Sequence, residues 1–153
     1  MSYWDWAIEV HGREGVDGAL NALQDDHDQC VAYLLWAAWA AQEGRVLPPE
    51  ILAQGAALSR HWEAAATGPL RTARRNLKAP APPIAEDARG ALREQVRKVE
   101  FAAERLLMET LEALAPEPEG RAQDIAGGLV AAGRAWGRQA PEAELKELAG
   151  RLA

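Results

Sequence analysis

The sequence predicts an all-α fold, a single helical bundle of five to seven helices. Its 153 residues are 48% hydrophobic and 26% charged, which is enough apolar material for a core inside an ordinary charged surface. Alanine is abundant whereas valine, isoleucine and threonine are scarce, and this balance favours helices over strands. Prolines and glycines divide the chain where helices commonly begin and end.

The acidic run Asp25-Asp26-His27-Asp28 lies either inside a helix or between two helices. Aspartate is a poor residue for a helix interior but a good N-cap, so we expect a break here, with Asp25 or Asp28 capping the next helix. That helix should span about 29–43, with Gly44 ending it. Because it is apolar on every side, it is predicted to be the buried central helix.

The longest predicted helix covers about 84–114, after a proline-rich linker at 79–83. Its apolar residues recur at spacings of four and three, a pattern of about three heptads. These residues are Leu92, Val96, Val99, Ala103, Leu106, Thr110 and Ala113. Such a helix either packs within the bundle, which Ala103 and Thr110 favour, or pairs with a copy of itself.

A second proline-rich stretch follows this helix at 116–120. Stiff, extended linkers of this kind separate structural units. We therefore expect residues 1–115 to form the bundle, and residues 116–153 to form a helical extension that is either docked or mobile.

A basic face follows Pro69, at which we expect a kink or a helix restart with Thr67 as a possible cap. Spacings of three and four place its residues on one side of a helix that should continue to Lys78. The basic face consists of Arg71, Arg74, Arg75 and Lys78. Two interpretations stay open: an ion-pair network with Glu100, Glu104 or the N-terminal acids, and a site for an anion or an acidic partner.

His27 lies between Asp26 and Asp28, and carboxylates with an imidazole can bind a first-row metal. The spacing matches no di-iron, zinc-protease or EF-hand motif, so a capping cluster around a partly buried histidine is the competing interpretation. The single Cys30 excludes an internal disulfide and a cysteine-based zinc site. With no nucleophile elbow or phosphate loop, the sequence favours a protein without catalytic residues, metal or cofactor.

The net charge of −6 argues against nucleic acid as a partner. The longest apolar run, of 12 residues, is shorter than the roughly 20 that a membrane-spanning helix needs. Asp5 and Glu9 also interrupt the start of the chain, so no signal peptide is recognised. We therefore expect a cytoplasmic protein without a membrane partner.

Short motifs lie in a fixed order along the chain: Trp4-Asp5-Trp6, Leu23-Gln24-Asp25 with His27, Leu34-Leu35-Trp36, Pro69-Leu70-Arg71, Arg74-Arg75 and Leu77-Lys78. Together with Glu100 and Ala103-Glu104-Arg105-Leu106, they resemble a family of small helical proteobacterial proteins of unknown function. The resemblance spans about residues 3–114. It implies a helical bacterial protein, and it implies no activity, substrate or cofactor.

The hypothesis that best fits these observations is a non-catalytic protein-interaction or regulatory module. Its contact surfaces would be the basic face and the outer side of the long helix, used for a protein partner or for self-association. The alternative is a helical enzyme that binds a small molecule or a metal, with a site near His27 and the arginines of the basic face.

Overall fold

A computed structural model of the chain describes residues 1–137 and 139–153. Its helices are α1 (Tyr3–His11), α2 (Val16–His27), α3 (Val31–Gln42), α4 (Pro49–Trp62), a π-helical turn (Glu63–Thr67), α5 (Gly68–Asn76), α6 (Glu86–Leu114), α7 (Ile125–Trp136) and α8 (Glu142–Leu152). Since α4, the π-helical turn and α5 run on without a break, the described residues form seven continuous helical segments and no strand. The predicted all-α bundle is confirmed. Within the same residues, no helix is both long enough and apolar enough to cross a membrane.

Helix α3 is the central helix, as predicted, with nine of its twelve residues buried. It contacts α1, α2, α4, α6 and α7, so other helices surround most of it. The break before it is also present, but neither Asp25 nor Asp28 caps α3. Asp28 instead ends α2 with a left-handed φ of 51°, which aspartate tolerates better than most residues. Cys30 precedes α3 and makes no side-chain capping hydrogen bond.

Buried aromatic residues fix the N-terminal segment on α3. The indole Nε1 of Trp6 donates to Gln42 Oε1 at 3.1 Å, and Nε1 of Trp39 donates to the carbonyl oxygen of Met1 at 3.2 Å. The hydroxyl of Tyr3 donates to the carbonyl oxygen of Ala32. These bonds satisfy polar atoms that would otherwise be stranded in the core.

Pro69 explains the π-helical turn. Proline has no N–H to donate to the carbonyl four residues back, and its ring would clash with that carbonyl in an α-helix. The chain widens here, and the N–H of Gly68 donates to the carbonyl of Glu63, five residues back. A Cβ on Gly68 would lie 2.6 Å from that oxygen, so glycine fits this position. The helix therefore continues, and Thr67 does not act as the predicted cap because it has helical dihedrals and no capping hydrogen bond.

Helix α6 lies where it was predicted, but with a different face toward the core. Its buried residues are Glu100, Ala103, Leu107, Met108 and Leu111. Three residues of the predicted heptad face outward, since Leu92, Val99 and Leu106 are 50%, 55% and 55% exposed. The helix carries apolar residues on two neighbouring faces, and spacing alone did not distinguish which one is buried.

Helices α7 and α8 pack against the N-terminal part of the chain, α7 on α3 and α4 and α8 on α2. Leu129, Leu145 and Leu148 belong to the same buried cluster as the side chains of α3. The indole Nε1 of Trp136 donates to the carbonyl of Asp28 at 2.6 Å. The core is thus shared by residues from both sides of the proline-rich stretch at 116–120.

Gly55→Ala should lower the free energy of unfolding, because a Cβ there would lie 2.5 Å from Cζ3 of Trp36. Overpacking of this kind costs about 1–3 kcal/mol, and the gain in helix propensity offsets at most about 1 kcal/mol. Gly90→Ala is the matched control, because a Cβ on this helical glycine has no neighbour within 4 Å. The control should stabilise the protein by about 0.5–1 kcal/mol. Urea denaturation measures both, and equal stability of the two variants would contradict the close packing of α4 on α3.

Candidate functional site

A pocket of about 260 Å³ opens where α2, the start of α3, the π-helical turn, α5 and α6 meet. We name it the arginine pocket. Its charged lining residues are Glu63, Arg71, Arg74, Arg75, Glu100 and Glu104. Its apolar lining residues are Val31, Ala32, Leu35, Leu107 and Met108, with His11, Asn21, Gln24, Cys30 and Thr67 completing it. The pocket therefore joins an ionic side to an apolar side.

The continuous segment formed by α4, the π-helical turn and α5 supplies one wall. Glu63, Thr67 and Arg71 follow each other at intervals of four residues, and residues at this spacing lie on the same side of a helix. Glu63 and Thr67 are the first and last residues of the π-helical turn. Such turns are rare and are often found at functional sites.

Arg71 lies among three carboxylates without a close hydrogen bond to any of them. The distances are 3.9 Å from Nη1 to Glu63 Oε1, 3.6 Å from Nε to Glu100 Oε1, and 3.9 Å from Nη2 to Glu104 Oε1. Hydrogen bonds between arginine and carboxylate are normally about 2.7–2.9 Å long. Gln24 provides the nearer contact: its amide group lies 3.2 Å from Nη1 and Nη2, and the amide oxygen accepts from both when it is turned to face Arg71.

The other two arginines have carboxylate partners. Arg74 Nε donates to Oε2 of the buried Glu100 at 2.5 Å, and this hydrogen bond raises the pKa of Arg74. Arg75 Nη2 lies 3.5 Å from Asp25 Oδ1 at the surface. An ion-pair network of the kind expected for the basic face is thus present. Arg71 differs from Arg74 and Arg75: among the described residues, each carboxylate near Arg71 lies beyond hydrogen-bond distance.

Burial dominates the electrostatics of the remaining acids. Desolvation raises the pKa of Glu63 and of Glu104, and the charge of Arg71 opposes that rise in both. Burial raises the pKa of the Cys30 thiol to about 12, and the nearby charge of Glu63 adds to this rise. A thiol that stays protonated at neutral pH is a hydrogen-bond donor and a poor nucleophile.

His27 and Lys78 do not line the arginine pocket. His27 is the last residue of α2, and its Nε2 lies 3.5 Å from Glu144 Oε1 of α8. Helix α5 ends at Asn76, so the prediction that the helix continues to Lys78 was wrong, and Lys78 lies in the following turn. Of the five predicted binding residues, the structure brings together the three arginines.

Asp26, His27 and Asp28 do not form a metal-binding group. Across residues 1–137 and 139–153, no three or more histidine, cysteine, aspartate or glutamate side chains are placed to hold a metal ion. Asp28 instead ends α2, and its carbonyl accepts the hydrogen bond from Trp136.

The sequence analysis did not point to most of the residues that line the pocket, including Glu63, Thr67 and Cys30. The four-residue interval that links Glu63 and Thr67 to Arg71 was a usable signal, because it extends the basic face by two turns toward the N-terminus. Cys30 gave no such signal, since it is the first residue of an apolar run.

Glu63→Gln should gain stability relative to the unchanged protein as the pH rises from about 4.5 to 7. Burial raises the folded-state pKa of Glu63 above its unfolded value. Below the unfolded pKa the carboxyl is neutral in both states and costs no stability. As the pH rises to the folded pKa and above it, ionisation of this carboxyl destabilises the folded protein. Glutamine resembles the neutral carboxyl and avoids this cost. Urea denaturation across this pH range measures the difference.

The matched control is Glu117→Gln, in an exposed segment outside the helices. Its difference from the unchanged protein should stay nearly constant over the same range. A Glu63→Gln difference that stays flat, or moves in favour of the unchanged protein as the pH rises, would show that burial does not raise the pKa of this carboxyl.

The family model described as "Protein of unknown function (DUF2390)" matches residues 2–111. The match includes every residue of the arginine pocket and confirms the resemblance to a family of unknown function. No curated protein and no solved structure matches the chain. Because the match covers well over half of its length, the chain belongs to the DUF2390 family of proteins of unknown function.

Proposed function

We propose that this protein is a non-catalytic, cytoplasmic interaction module that pairs with a second copy of itself through the outer side of α6. The observation that carries the proposal is the exposed α6 stripe, which consists of Leu92, Val99 and Leu106. The lone Cys30, buried as a thiol, suits the reducing cytoplasm.

The α6 stripe has the spacing of a helix-pairing surface. Leu92, Val99 and Leu106 are seven residues apart, and each is at least half exposed. Gln95 and Ala102 lie between them at spacings of three and four, and both are exposed. Single exposed apolar residues need no explanation, but a row of them at heptad spacing is typical of a seam between two helices. The small Ala102 allows a partner helix to approach closely.

Charge favours a second copy in antiparallel orientation. The part of α6 before Val99 carries four bases, Arg89, Arg93, Arg97 and Lys98, against three acids, Glu86, Asp87 and Glu94. Four acids, Glu100, Glu104, Glu109 and Glu112, follow Val99 against the single base Arg105. Of these acids, Glu100 and Glu104 face Arg71, and Glu112 accepts a hydrogen bond from the N–H of Tyr3. An antiparallel copy centred on Val99 brings the basic half of one α6 onto the acidic half of the other, which favours this register over a parallel one.

The basic face is a weaker candidate for the contact surface. Arg74 and Arg75 already pair with Glu100 and Asp25, so most of its charge is used within the chain. The α6 stripe, in contrast, is an apolar surface that the fold leaves in water. Covering it with the stripe of a second copy buries this apolar surface, which stabilises the pair by about 25 cal/mol per Å² of buried area.

Val99→Glu should weaken self-association by at least about tenfold in Kd, because the twofold axis would bring two new carboxylates together. Ile8→Glu is the matched control, because Ile8 is 54% exposed on α1 and lies off the α6 stripe. Sedimentation equilibrium over a range of concentrations measures both, and circular dichroism checks that each variant remains helical. The control should associate as the unchanged protein does.

Orientation is tested by disulfide trapping in a Cys30→Ala background. A variant that carries both Leu92→Cys and Leu106→Cys should form covalent dimers that join position 92 to position 106, as peptide mapping would show. Bonds between identical positions would mean parallel pairing. A protein that remains monomeric at every concentration would overturn the proposal itself.

A further inference from the structure

We infer that the arginine pocket binds a small zwitterion of the α-amino-acid class, one that carries an ammonium group, a carboxylate group and an apolar side chain. The inference concerns the inner side of α6 and does not depend on pairing through the α6 stripe. It is built from hydrogen-bonding groups that line one cavity and are only partly satisfied by partners within the chain.

Arg71 supplies the position for a carboxylate. Its guanidinium borders the cavity, and its three carboxylate neighbours stay 3.6–3.9 Å away. A guanidinium is a rigid fork of donors that matches a carboxylate with two parallel hydrogen bonds. Among the described side chains, Gln24 alone lies within hydrogen-bond distance of Arg71, at Nη1 and Nη2 when its amide oxygen is turned toward them. Among the same residues, the Nε–H and one N–H of each Nη are then left without a hydrogen bond.

Glu63 and Glu104 supply the position for an ammonium group. Glu100 is bonded to Arg74, and Arg75 is paired with Asp25. Among the described residues, Arg71 is the cation that lies within 4 Å of both Glu63 and Glu104, while Arg60 acts on Glu63 and Arg74 on Glu104 from farther away. A partly buried carboxylate without a hydrogen-bonded cationic partner is stabilised when a cation binds and donates hydrogen bonds to it. The pocket therefore offers an anion-binding group and cation-binding groups within the reach of one small molecule.

Thr67 is the independent sign that the cavity takes an occupant. Its side chain lines the pocket, the residue is 2% exposed, and its Oγ1 has no hydrogen-bond partner among the described atoms. A buried hydroxyl without a partner costs about 1–3 kcal/mol, so native structures normally supply one. A polar group of a bound molecule, close to the ammonium or the carboxylate, would satisfy Thr67.

The apolar side of the pocket limits the remainder of the ligand. Leu35, Leu107 and Met108 line it, and they favour an aliphatic side chain over a second charged group. The volume of about 260 Å³ lies just below the ~300–1,000 Å³ range of most ligand pockets. A single amino acid fits this size better than a nucleotide or a peptide.

The test uses the full-length protein and three probes that differ by one group each. L-leucine carries both charged groups, 4-methylpentanoate lacks the amine, and isopentylamine lacks the carboxylate. Titration followed by two-dimensional amide NMR should show L-leucine binding at least about tenfold tighter than either single-charge probe, with shifts in the amide signals of residues that line the pocket. No shift with L-leucine, or equal binding of all three probes, would overturn the inference.

Two substitutions separate the two ends of the ligand. Arg71→Gln should weaken L-leucine and 4-methylpentanoate by at least about tenfold while leaving isopentylamine unchanged. Glu63→Gln should weaken L-leucine and isopentylamine and leave 4-methylpentanoate unchanged. The control is Arg97→Gln, which removes an exposed arginine outside the pocket and should leave all three affinities unchanged. A general loss of affinity for every probe in both pocket variants would count against the inference.

Thr67→Val provides a test that does not disturb the ion pairs. Replacing an unpartnered buried hydroxyl with a methyl group of similar shape should leave the fold as stable as before or more stable. The same change should weaken L-leucine several-fold if the hydroxyl bonds to the ligand. Unchanged L-leucine affinity in a folded Thr67→Val protein would remove Thr67 from the site, and with it the observation that calls for an occupant.

Discussion

The structure depends on one constraint, which is that α3 has no side that can face water. A helix apolar all around its circumference must be covered on all sides, and five other helices contact it. The covering helices are held in place by polar atoms as well as by apolar contact. The indoles of Trp6 and Trp39 each find an acceptor in another part of the chain. Two elements distant in sequence, α1 and α7, both pack against this helix.

The arginine pocket arises where this cover is incomplete. The first turn of α3 lies between α2, the π-helical turn and α6, and the widened turn that Pro69 requires places Glu63 and Thr67 there. Charged groups at such a place are neither fully solvated nor fully paired. Burial therefore raises the pKa of Glu63 and Glu104, while Arg71 keeps donors that no neighbour closely accepts. The same local backbone feature thus explains both the geometry of the pocket and its electrostatics.

The sequence predicted the elements that depend on local signals and missed those that depend on packing. The apolar run of α3 and Gly44, with its left-handed φ of 70°, are local signals, and both lie as expected. The buried face of α6 was misjudged because two of its faces are apolar and only the position of the other helices selects one. The separation of His27 from the arginines had no local signal either, since it depends on where α8 lies.

Helix α6 connects the two proposals and also keeps them separable. Glu100 and Glu104 contact Arg71 from one side of the helix, and Leu106 and Val99 project from the neighbouring side into water. A substitution on the outer side changes no group that lines the pocket, so pairing and ligand binding can be disturbed one at a time.

The helix that the two proposed sites share can also couple them: a ligand that holds Glu104 in place restrains the turn that carries Leu106. A ligand shifts an equilibrium only through a difference in its affinity for the two states. Ligand binding in the arginine pocket would therefore change pairing only if the ligand binds the paired and the unpaired protein with different affinity.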